Sequence, residues 1–139
     1  MARNEHLPIY KAAYDLCLWL EQVVRGFSRY HKYTIGSDLR ESSRRILRLV
    51  VRANTRRDKA PVLLELREEV EELKAMIRLC HDARGFAGIA AFEHGARLVV
   101  EVARQNEGWL RSQREGVEGR GQNRSASPQH AAAAPPGVP

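Results

Sequence analysis

The chain has 139 residues, a formal net charge of +6, a pI near 9.8, 43% hydrophobic residues and 29% charged ones. This bounds it to one domain with a single core, and its basic balance favours nucleic acid or an acidic protein as partner. No stretch approaches the ~20 apolar residues of a membrane span, and Met1 to Lys11 holds no apolar run of the kind that opens a signal peptide. Cys17 and Cys80 have no metal-ligand spacing, so they read as reduced core thiols in a cytoplasmic protein.

Residues 1–7 form a short polar lead, and Pro8 suits the first turn of a helix. Ile9, Ala13, Leu16, Leu20, Val23 and Phe27 follow at four- and three-residue steps, a helical core stripe that Trp19 and Val24 widen. Gly26 marks its end. The link Arg29-Tyr30-His31-Lys32-Tyr33 is aromatic and basic. Thr34 or Ser37 caps a second helix, in which Asp38 complements the positive N-terminus and Leu39, Ser43, Ile46, Val50 and Ala53 face the core. Asp58 is the predicted N-cap of a third helix, with Leu63, Leu66, Val70, Leu73, Ile77 and Cys80 as its seam and Gly85 as its stop. A fourth helix starts near Gly88 with a seam of Ile89, Phe92, Ala96, Val99, Ala103 and Leu110. Asn106 interrupts that seam, and Gly95 is read as room for a neighbouring backbone. After Glu115 the chain turns to Gly, Ser, Ala and Pro. It has too few large apolar residues to offset ordering entropy, so 116–139 reads as a disordered tail. Four stripes with short links predict an all-α, antiparallel up-down-up-down four-helix bundle over 8–115.

The second helix carries Arg40, Arg44, Arg48, Arg52 and Arg56 at every fourth position, with Arg45 and Arg57 beside two of them. At about 100° per residue, each step of four drifts only about 40° round the axis, so the arginines make a slowly winding stripe. From Arg29 to Lys59 there are ten Lys/Arg against three Asp/Glu; from Ala60 to Ala83 there are three against six. Arginine's planar fork of donors matches phosphate oxygens, and a rigid row of them holds a nucleic-acid backbone without reading bases. The competing reading is ion pairing with Glu65, Glu68, Glu69 and Glu72 of the third helix.

Two motifs resemble the Avd-like four-helix-bundle family, the accessory variability determinants of diversity-generating retroelements, to which proteins of 23S rRNA intervening sequences are related. Arg29 to Leu39 (Arg-Tyr-His-Lys-Tyr-Thr-Ile-Gly-Ser-Asp-Leu) is similar to the family's entry into its second helix. Phe92-Glu93-His94, Glu101-Val102-Ala103-Arg104 and Gly108-Trp109-Leu110 resemble its closing motif. The likeness spans roughly Pro8 to Arg114. The chain departs from the pattern at Ala103, Asn106 and Glu107, and Phe27-Ser28 stand where a proline is usual. The resemblance implies a homopentamer with a basic surface that associates with a reverse transcriptase and with RNA or cDNA, and supports cDNA synthesis without catalysing it.

The candidate nucleic-acid-binding residues are Arg29, Lys32, Arg40, Arg44, Arg45, Arg48, Arg52, Arg56 and Arg57. Trp19 and Trp109 are candidate oligomer or partner contacts. Tyr30 and Tyr33 could stack bases, but the favoured reading packs Tyr33 on the bundle end. No residue pattern suggests catalysis, a cofactor or a metal: His6, His31, His81, His94 and His130 show no ligand spacing. Two alternatives stand beside the retroelement role: an rRNA-associated bundle of the intervening-sequence type, and a protein-only adaptor that docks an acidic partner.

Overall fold

The computed structural model describes residues 4–125, with side chains through 116. It is all-helical, and no strand occurs among the described residues. A 3-10 turn at Asn4–His6 leads into α1 (Pro8–Arg25); a one-turn helix, α2 (Arg29–Lys32), precedes α3 (Ile35–Thr55); α4 (Ala60–Asp82) and α5 (Ile89–Ser125) complete the chain. The four long helices pack in a closed ring, α1 on α3, α3 on α4, α4 on α5 and α5 back on α1.

The seams of α3 and α4 are those the periodicity predicts: Leu39, Ser43, Ile46, Val50 and Ala53, then Leu63, Leu66, Val70, Leu73, Ile77 and Cys80, are all buried. In α1, Val24 is buried and Val23 only partly so, which reverses the predicted order. The α5 seam is shifted in part. Gly95, Val99, Val102, Asn106 and Leu110 face the core, Ala96 and Ala103 lie beside it, and Ile89 is 58% exposed. Val99, Asn106 and Leu110 lie on the predicted stripe; only Gly95, which gives no apolar signal, and Val102 take the inward places read for Ala96 and Ala103. Phe86, in the α4–α5 link, is buried as well and stacks on Trp19 and edge-on to Phe27.

Three predicted termini are corrected. Asp58 does not cap α4: Lys59 holds the N-cap position without a side-chain cap. The Lys59 ammonium instead donates to the carbonyls of Ala53 (2.9 Å) and Arg56 (2.7 Å), satisfying orphan acceptors at the negative end of α3. Thr34 precedes α3 without a side-chain cap bond; its hydroxyl donates back to the Tyr30 carbonyl at 2.7 Å. At the end of α4 the left-handed residue is Arg84 (φ 64°), not Gly85. The Arg84 and Gly85 amides donate to the carbonyls of His81 and Cys80, the pair of bonds that closes a helix C-terminus. Gly85 is required for a different reason: a Cβ there would lie 2.5 Å from Cys80 Sγ. At Gly95 the close neighbour is the Trp19 ring, 2.8 Å from where a Cβ would stand, rather than a backbone.

The helix α5 also continues past the tail boundary placed after Glu115, to Ser125. Gly116, Gly119 and Gly121 each cost about 1 kcal/mol of helix propensity but do not block the backbone bonds as proline does. Residues 126–139 of the predicted tail lie outside the described residues. No helix among the described residues is long and apolar enough to cross a membrane.

Candidate nucleic-acid interface

The stripe on α3 divides once its neighbours are in place. Arg44 and Arg45 are about 100° apart round the axis, whereas Arg45 and Arg52, seven residues apart, fall on nearly the same side. Arg40 and Arg44 therefore lean on α1. Arg44 Nε lies 2.6 Å from Glu21 Oε2, and Arg40 Nη2 donates to the Glu21 backbone carbonyl at 3.0 Å. Arg40 Nε is 3.2 Å from Glu21 Oε1, but too poorly aligned to form a hydrogen bond. Arg45 and Arg52 lean on α4: Arg45 reaches Glu69 at 3.0 Å and Glu65 at 3.6 Å, and Arg52 reaches Glu65 at 3.7 Å. Arg48, between the two sides, pairs with Glu41 of its own helix at 2.9 Å. The hydrogen bond to Glu21 raises the Arg44 pKa, and that to Glu69 raises the Arg45 pKa, so both stay charged.

Five arginines thus meet four carboxylates. Two of these, Glu65 and Glu69, are among the predicted partners. Glu68 and Glu72 take no part, while Glu21 and Glu41 were not foreseen. The sequence does hold Glu21 in plain view, but its role depends on the register between α1 and α3, which no periodicity reports. Such partly exposed pairs contribute about 0–1 kcal/mol each to stability, and each leaves its guanidinium shared with a carboxylate that a phosphate would have to displace.

The remaining candidates are different. Among the described residues Arg29, Lys32, Arg56 and Arg57 take part in no ion pair. They lie at the two ends of α3, separated by a 21-residue helix that is about 32 Å long. Glu21 of α1 and Glu65 and Glu69 of α4 reach α3 only between Arg40 and Arg52, while Asp38 and Asp58, near its two ends, form no ion pair among the described residues. The Lys59 clamp fixes the turn that carries Arg56 and Arg57.

Trp19 is half-buried, edge-on to His94 at 5.2 Å and stacked on Phe86 at 6.1 Å. Trp109 packs against the core, with Lys59 Nζ 5.9 Å over its ring. Both tryptophans therefore make contacts within the chain. Tyr33 does not pack on the bundle end: it is 70% exposed and Tyr30 is 72% exposed. The one-turn helix α2 holds them outward, capped where the His31 amide donates to Ser28 Oγ. Cys17 and Cys80 are buried and free; burial pushes the Cys80 thiol up to about 11, opposed by a hydrogen bond from the Phe86 backbone. Among the described residues no three His, Cys, Asp or Glu side chains converge as metal ligands would.

A ring of four long helices, with partnered arginines along one helix and unpartnered cations at its ends, defines a basic helical-bundle protein. A family model described as bAvd-like matches residues 7–113, and the chain belongs to that family. A search of curated proteins finds no match.

Proposed function

We propose that this chain is a non-enzymatic accessory protein of a diversity-generating retroelement. In this reading it is a cytoplasmic, homo-oligomeric adaptor, pentameric as the family implies, that holds RNA or cDNA beside the reverse transcriptase. The carrying observation is the family match over nearly the whole bundle. The unpartnered Arg29, Lys32, Arg56 and Arg57 supply the physical cause, since cations without local carboxylates are free to take phosphate. The antiparallel up-down-up-down arrangement is part of the same reading. It is supported by contacts whose numbers fall in one helix as they rise in the next: Glu21 with Arg44 and Asn4 with Asn54, or Leu63 with Asn106 and His81 with Phe92.

The test is binding of the full chain to a structured RNA, read by fluorescence anisotropy across salt. Log K should fall by about 0.7–0.9 per phosphate neutralised for each tenfold rise in salt. A response flat in salt would remove the electrostatic mechanism. A protein-only adaptor would use the same unpartnered cations to meet an acidic partner. A partner retained after nuclease treatment would favour that alternative.

A further inference from the structure

We propose that the groove between α2 and the C-terminal turns of α4 binds the unpaired bases of a single-stranded nucleic acid, with Tyr30 and Tyr33 as stacking surfaces. The proposal rests on the nucleic-acid reading above and adds to it a place and a ligand class. The groove has a volume of about 430 Å³. Tyr30, Tyr33 and Asp38 line it from α2 and the start of α3, and the apolar Met76 and Leu79 line it from α4.

Three observations converge there. First, the rings are three residues apart on one helical turn, so they share a face, and both are more than two-thirds exposed. No stacking contact joins them among the described residues, and Tyr30's ring neighbour is His31, edge-on at 5.3 Å. Two large rings left in water beside Leu79, itself 53% exposed, form an apolar patch of the kind that marks a binding surface. Second, the charge suits a nucleotide. Arg29 and Lys32 bracket Tyr30 in sequence and take part in no ion pair among the described residues, so phosphates flanking a stacked base would find cations within the same turn. Third, the lining offers a polar handle. Asp38 is exposed and forms no ion pair among the described residues, so it can accept from an exocyclic amine such as cytosine N4. Aromatic faces interleaved with cations are the arrangement that holds single strands with little sequence preference. A duplex hides its base faces, so it would use the cations alone.

The experiment compares three fluorescein-labelled RNAs on the full chain: a 12-mer single strand, the same sequence as a duplex, and a 12-mer containing abasic sites. They are titrated against wild type, Tyr30→Ala/Tyr33→Ala and Tyr30→Phe/Tyr33→Phe. Both side chains are exposed, and unchanged circular dichroism would verify that the variants fold. Stacking predicts that the alanine pair weakens single-strand binding by about 5- to 100-fold. It also predicts that this pair leaves duplex binding unchanged, that phenylalanine restores the loss, and that the abasic strand binds wild type about as weakly as the intact strand binds the alanine pair. If the alanine pair binds the single strand as wild type does, or the abasic strand binds as tightly as the intact one, the groove is not a base site although the electrostatic reading stands. Failure of every RNA to bind at low salt would overturn both.

Discussion

At the end of the bundle where α1 runs into α2, missing side chains make room. Gly36 lies against Val24 and the His31 carbonyl, and Gly85 against Cys80, with Phe27 and Phe86 crossed between them. At the opposite end polar groups do the joining. Lys59 bridges the last carbonyls of α3, Asn54 Nδ2 donates to Asn4 Oδ1, and Asn106 Nδ2 donates to the Leu63 carbonyl across 3.0 Å. At Gly36 and Gly85 the first end has no slack for an added atom. The second is held by directional bonds, one of which leaves a buried oxygen, Asn106 Oδ1, without a partner among the described residues. Each end carries unpartnered cations, so the charge left free of carboxylates among the described residues lies outside the tightly matched middle. Mutations at the two ends should therefore fail in different ways.

The largest effect should come from the cations of the polar end. Arg56→Gln with Arg57→Gln removes two groups that no carboxylate neutralises. RNA affinity measured by anisotropy at about 0.1 M salt should fall about 10- to 100-fold, and the log–log salt slope should shrink by about 1.4–1.8. The same change at Arg44 and Arg45 removes partners of Glu21 and Glu69. Because those guanidiniums are already shared with carboxylates, affinity there should change by only about threefold and the slope hardly at all. Equal losses at both places would erase the distinction between the middle of α3 and its ends.

Next in size is Gly36→Ala at the tight end. A Cβ there would lie 2.7 Å from Val24 Cγ1 and 2.8 Å from the His31 carbonyl oxygen, and a carbonyl cannot swing aside as a side-chain tip can. Urea unfolding should show a loss of about 1–3 kcal/mol, the usual range for overpacking. A neutral result would mean that α2 shifts freely, and the two ends would no longer differ in rigidity.

The parts of this architecture that the sequence revealed are those written in large apolar letters. Every residue read into the α3 and α4 seams is buried, because leucine, isoleucine and valine mark one side and charge the other, though Gly36, Leu49 and Val62 are buried beyond that reading. The α5 seam is legible at Val99, Asn106 and Leu110 and is read one place late at Gly95 and Val102, because Gly95 carries no apolar signal and Ala103 competes with its neighbour Val102. The candidate cations were all visible, but which of them are matched was not, since Glu21 and Arg44 meet only through the register of α1 on α3. Exposure of Tyr33 was likewise beyond the pattern: it depends on Ser28 capping an extra helical turn where a plain link was read.

A smaller change, opposite in sign, is expected at Asn106→Leu. Leucine keeps the branched outline, with two slightly larger methyls for the amide atoms, and takes away the unpartnered Oδ1, while Leu63's carbonyl keeps its place in the α4 ladder. Stability should rise by about 1 kcal/mol, read from the urea midpoint. A loss instead would show that the Asn106 bond holds the polar end together and that its oxygen is paid for.

The smallest effect at neutral pH belongs to Cys80, which is fully buried beside Gly85. Burial raises its pKa from 9.0 to about 11, so the folded chain keeps the proton where the unfolded chain begins to release it. Above pH 9 the unfolded state binds fewer protons than the folded one, so stability falls with rising pH and the contribution is gone once pH passes about 11. Below pH 9 nothing changes. Urea titrations from pH 7 to 11 should therefore be flat and then decline, and Cys80→Ala should soften the decline while lowering stability throughout through the cavity it leaves. At pH 8 the folded thiol should resist iodoacetamide, because the reactive thiolate is suppressed as well as shielded. Rapid labelling under those conditions would mean that the tight end opens readily, and the contrast with the polar end would have to be redrawn as one of chemistry without rigidity.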